Sequence, residues 1–115
     1  MYLIDHKVIY QWEKLLILED CAIKGSSRYR IILHIDNFFR NAIPTERHNF
    51  QVPANDRGAR ETFAYSLKTA IVKAIDYKIG IGGMIEVLPE YPHKTYTYDE
   101  REEFYKKAGL WLDIK

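Results

Sequence analysis

The chain has 115 residues, 47% of them hydrophobic and 29% charged, with a net charge of +1. That length supports one domain with a sizeable core, and the balance excludes a disordered tail or a fibrous repeat. A single cysteine, Cys21, allows no internal disulfide and offers no zinc spacing, which points to a reducing, cytoplasmic setting.

The apolar start Met1 to Ile4 is cut short by Asp5, His6 and Lys7, too early for a signal segment or a membrane span. Residues 5 to 18 then fit two elements. Val8, Ile9, Trp12, Leu15 and Leu16 have helical spacing after Asp5 and lean to a helix, while their β-branched content would suit a strand. Residues 28 to 36 alternate. Tyr29, Ile31, Leu33 and Ile35 fall on one side and Arg28, Arg30, His34 and Asp36 on the other, with Ile32 the exception, so the spacing predicts a half-buried strand. Leu15 to Lys24, joined to it by Gly25-Ser26-Ser27, reads as its antiparallel hairpin partner.

Residues 40 to 60 hold Pro44, Pro53, Gly58 and three asparagines (Asn41, Asn49 and Asn55), with few apolar anchors beyond Ile43, Phe50 and Val52. A short strand at Asn49 to Val52 would divide them. Long irregular connections in small domains are usually functional or disordered, so this segment is where a site is sought.

Phe63, Leu67, Ala70, Ile71, Ala74 and Ile75 form one helical stripe, predicting a long helix over 57–79 capped by Asn55 or Asp56 and ended by Gly80. Residues 84 to 88 read as a strand stopped by Pro89, and Lys94 to Tyr98 alternates polar residues with tyrosine. A second helix is predicted over 99–108: Thr97 and Glu100 have capping-box spacing, and Lys106 and Lys107 occupy its last turn. Leu110 to Ile114 reads as a last strand. The expected fold is α+β, a single domain over 1–115 with an antiparallel sheet packed by one long and one short C-terminal helix.

The neutral total hides an uneven distribution. Residues 28 to 73 carry eight basic side chains against four acids, a local balance of +4, whereas residues 86 to 115 carry seven acids and five bases. Six of the seven arginines, Arg28, Arg30, Arg40, Arg47, Arg57 and Arg60, lie within residues 28 to 60. A guanidinium fork matches phosphate oxygens in a way that an ammonium does not. The same arginines also suit a solvated sheet face paired with Asp36, Glu46 and Glu61. Aromatic content is 14%, with nine tyrosines. Tyr29, Tyr91, Tyr96, Tyr98 and Tyr105 fit stacking platforms for unpaired bases, protein-interface anchors or ordinary core packing.

His34 and Asp36 share a strand face and His48 lies in the following segment, the raw material of acid–base chemistry, yet no nucleophile is placed by motif. Asp76-Tyr77-Lys78 has the acid-x-Lys form of metal-dependent nucleases but sits on a helix, the wrong element for that chemistry. Gly80-Ile81-Gly82-Gly83 follows a helix instead of preceding one, so it reads as a cap and turn, not a phosphate loop.

The sequence therefore points first to a small non-enzymatic binding module for a phosphate-bearing partner, nucleic acid or nucleotide. Its expected ligand-binding residues are Arg28, Arg30, Arg40, Arg47, Arg57, Arg60, Tyr29, His34 and His48, with no cofactor, no metal and no membrane. The alternative is a protein-interaction, inhibitor or assembly protein of the compact kind that viruses and mobile elements carry, self-association included. It predicts an exposed apolar-aromatic patch. A third reading is a small enzyme using His34 and Asp36.

Overall fold

The computed structural model describes residues 2–20, 28–34, 47–52 and 59–114. Five strands form one antiparallel sheet: β1 (Tyr2–Trp12), β2 (Leu15–Asp20), β3 (Tyr29–His34), β4 (Arg47–Val52) and β5 (Ala59–Ala64), in the order β4-β1-β2-β3-β5. Two helices follow, α1 (Leu67–Val87) and α2 (Tyr98–Lys107). The α+β class, the antiparallel sheet and the long-plus-short pair of helices agree with the sequence reading.

β2 is the central strand, and it explains the uninterrupted run Leu15-Leu16-Ile17-Leu18. All four side chains are buried because both faces of the sheet are covered there. Leu15 and Ile17 join Ile31, Ala64, α1 residues Ala70, Ile71, Val72, Ala74 and Ile75, and Tyr105 and Leu112 in the larger core. Leu16 and Leu18 join Val8 and Ile32 in a smaller cluster on the opposite face. The β2–β3 pairing sets Leu15 against Leu33 and Ile17 against Ile31, the expected hairpin partners.

Residues 5 to 18 are not helical; they form β1, a tight turn and the start of β2. The helical spacing arises from a bulge. The β1–β2 register shifts between Val8 and Tyr10, so Ile9 and Tyr10 both fall on the side of Ile17, and strict alternation is lost. Trp12 pairs with Leu15 across the two-residue turn Glu13-Lys14, and Glu13 has a positive φ of 36°. A side chain there is strained relative to glycine. Glu13→Gly is therefore expected to raise stability by about 1 kcal/mol, measured by urea denaturation.

The expected helix over 57–79 is also redrawn. Ala59–Ala64 is the edge strand β5, paired with β3 from Tyr29↔Ala64 to His34↔Ala59. Phe63 stands four residues before Leu67 by coincidence, which extended the helical stripe backwards. The helix starts at Leu67, where the Ser66 hydroxyl accepts from the Thr69 N–H at 3.2 Å. Lys73 then ties α1 to the sheet, donating to the Phe63 carbonyl at 2.6 Å.

Gly80 breaks the helix as expected (φ 64°, ψ −172°), but the chain re-enters helix up to Val87, where a strand was expected. Met84 and Leu88 are buried and the Leu88 N–H donates to the Met84 carbonyl at 2.8 Å, contacts that a strand would not make. Residues 94–98 and 110–114 join no strand among the described residues; Tyr96 and Leu112 instead plug the core. The second helix is as read from the sequence. Thr97 and Glu100 close a reciprocal capping box, and the two backbone–side-chain bonds each span 3.2 Å.

Candidate functional site

Strand parity and register decide which of the expected binding residues meet. Arg30 lies in one row with Val8, Leu18 and Phe63, on the face of the smaller cluster. Arg28, just before β3, comes to the same place: its guanidinium carbon is 4.4 Å from the Phe63 ring centre, and that of Arg30 is 5.0 Å away. Asp20 Oδ2 stands 3.9 Å from Arg28 Nε, and Arg30 Nη1 donates to Glu61 Oε2 at 3.3 Å. Arg30 is only 5% exposed.

The other arginines go elsewhere. Arg60 is opposite Leu33, on the face of the larger core, and Arg47 is in register with Lys7 on β4, the other edge strand. Arg40 and Arg57 lie outside the described residues. Tyr29 packs against the main core, on the face opposite Arg30, because neighbours along a strand point to opposite sides. His34 is on the Arg30 face in register with Ala59, while His48 on β4 is in register with His6, so β1 and β2 separate the two. Asp36 lies outside the described residues. Among the described residues no three His, Cys, Asp or Glu side chains gather as a metal would need, and no helix is long and apolar enough to cross a membrane.

The aromatic residues divide in the same way. Tyr105 is fully buried, Tyr96 is buried edge-on to Phe104 with ring centres 5.6 Å apart, and Tyr91 packs on the core. Several rings carry a lysine: Lys78 over Trp12 at 4.5 Å, Lys94 over Tyr96 and Lys106 over Trp111 both at 5.0 Å, and Lys73 over Tyr98 at 5.9 Å. Lys78 therefore turns to Trp12, while Asp76 turns to α2, and the acid-x-Lys pair does not converge.

Asp76 belongs to a cluster that the sequence reading missed. Arg101 Nη1 donates to its Oδ1 at 3.1 Å, and the Tyr105 hydroxyl donates to the same oxygen. Burial pushes the Asp76 carboxyl above its ordinary 3.8, against the opposing pull of Tyr105 and Arg101. Burial and the adjacent carboxylate likewise push the Tyr105 hydroxyl far above its ordinary 10.0. The available signal was Tyr105 and Arg101 one turn apart on a capped helix, but nothing local pairs them with Asp76.

Among the described residues, the large apolar groups most exposed to solvent all lie after β5: Tyr65 (76%), Ile81 (68%), Ile85 (53%) and Tyr98 (44%). Ile81 and Ile85 are one turn apart beyond the Gly80 break, so they form a short aliphatic ridge. Gly82, between them, has open space where a Cβ would stand. No known protein family, curated protein or solved structure matches this chain.

Proposed function

We propose that the protein is a small, cytoplasmic, non-enzymatic protein-interaction module that seats the Ile81–Ile85 ridge of α1 in an apolar groove of a partner protein. The observation that carries this reading is the exposure of two isoleucines, 68% and 53%, on consecutive turns of one helix. An aliphatic side chain has no polar handle to satisfy in water, and i, i+4 anchors are what a groove-binding helix presents. The ridge alone is far smaller than the roughly 800 Å² per partner of a standard stable interface, so it acts as the anchor of a wider contact.

A photo-cross-linking residue placed at Ile81 tests this in cells that express the protein. A discrete cross-linked species that disappears on Ile85→Asp supports the reading. If its mass is that of a dimer of this chain, the partner is a second copy. Absence of any discrete product, or a product indifferent to Ile85→Asp, overturns the proposal.

The phosphate-bearing alternative, nucleic acid or nucleotide, draws on a different observation: Arg28 and Arg30 set against one ring. On this reading the contact is local, because Arg60 stands on the other face and Arg47 is on β4, which β1 and β2 separate from β3.

A further inference from the structure

Arg28 and Arg30 bring two cations onto one aromatic ring, with guanidinium carbons 4.4 and 5.0 Å from the centre of Phe63. Like charges held together repel unless acceptors lie between them. The carboxylates nearby meet that need only in part. Asp20 stands 3.9 Å from Arg28, beyond hydrogen-bonding range, and Glu61 accepts a single bond from Arg30 at 3.3 Å, where a carboxylate can take two. Arg30 is 5% exposed, and its Nε–H has no hydrogen-bond partner among the described residues. A buried charged donor left unused is costly, and folded proteins normally satisfy it with protein, water or a ligand. The Arg28 side chain is 30% exposed, so the buried fork of Arg30 has a cationic neighbour that reaches solvent.

We propose that Arg28 and Arg30 form an oxyanion site over Phe63 and that its ligand is a phosphate group. A guanidinium has five N–H donors, and a tetrahedral phosphate has enough acceptor oxygens to bridge two forks at once, more than either flanking carboxylate provides. Asp20 and Glu61 offset the two cations. Binding therefore depends on hydrogen-bond geometry more than on net charge, and its salt dependence is shallow: with one phosphate bridged by both arginines, log K for a single-stranded oligonucleotide falls with log salt with a slope of about −1. The site stands apart from the Ile81–Ile85 ridge. It rests on the phosphate-bearing alternative and gives that reading defined residues.

The test follows the arginine Nε–Hε resonances of the ¹⁵N-labelled chain during titration with inorganic phosphate, then AMP, then a short single-stranded oligonucleotide, against chloride at equal ionic strength. The Arg30 resonance is expected to move saturably with phosphate groups and not with chloride. Arg28→Gln, at a side chain 30% exposed, is expected to leave the far-UV spectrum unchanged and to weaken binding about ten-fold. Saturation with inorganic phosphate as tight as with AMP assigns the free ion, and tighter binding of AMP or the oligonucleotide assigns a nucleotide. An oligonucleotide that binds without moving Arg30, or that binds Arg28→Gln as well as wild type, overturns the site but leaves the phosphate-bearing reading. No binding in any arm overturns both.

Discussion

Replacing Asp76 by alanine is expected to cost about 2–3 kcal/mol of folding stability, because two donors lose their shared acceptor at once. Arg101 and the Tyr105 hydroxyl both reach Asp76 across the α1–α2 contact, and Tyr105 is fully buried. The isosteric Asp76→Asn retains an acceptor oxygen and is expected to be mild. The pH dependence gives an independent check. Burial raises the Asp76 carboxyl above 3.8, so the folded chain holds this proton more tightly than the unfolded chain does. The resulting stability is fully present below the ordinary aspartate range and is lost as pH rises through the raised value. Urea denaturation of wild type and Asp76→Asn from pH 3 to 7 reads it directly: the difference between the two should change across that window and flatten above it. By contrast, Lys68→Ala should leave the urea midpoint almost unchanged, since its ion pair with Asp99 is solvent-exposed.

Ile17→Ala is expected to cost about 3–4 kcal/mol of folding stability. Ile17 is fully buried on the central strand, in register with Tyr10 on one side and Ile31 on the other. No neighbour can move in without disturbing two ladders, so the cavity stays open. A domain of this size has total stability of about 5–15 kcal/mol, so the variant should lose a large part of its resistance to urea while keeping an α+β circular dichroism spectrum. Ile81→Ala removes the same atoms from a side chain that is 68% exposed and should shift stability by no more than about 0.5 kcal/mol. If Ile81→Ala matched Ile17→Ala, the ridge would be part of the folded core and not a free surface.

These contrasts show where local sequence signals suffice. Thr97, Glu100, Lys106 and Lys107 act within one helix, and that helix was legible to within a residue. The alternation of Tyr29, Ile31 and Leu33 against Arg28 and Arg30 was legible for the same reason, and it already placed Tyr29 away from the arginine pair. The N-terminal strand was not, because one extra residue at Ile9 turns a two-residue period into something close to 3.6. Residues 59–64 were drawn into a helix because Phe63 falls four places before Leu67; only pairing with β3 reveals the strand. Gly80 was correctly read as a break, but whether a chain resumes helix after a break depends on what the next apolar residues touch, here Met84 and Leu88 in the core. The Asp76–Arg101–Tyr105 cluster joins residues 25 and 29 positions apart and exists only once the two helices are docked.

The bulge in β1 also bears on how the chain tolerates changes in length. Ile9 and Tyr10 share the span of a single residue of β2, so removing Ile9 alone would leave His6, Val8, Tyr10 and Trp12 on the faces they already occupy. Removing almost any other residue of β1 would turn everything on one side of the cut inside out, exposing apolar side chains and burying charged ones. The strand thus has one place where a codon can be lost without inverting the sheet, and it lies beside the fully buried Val8 and Ile17.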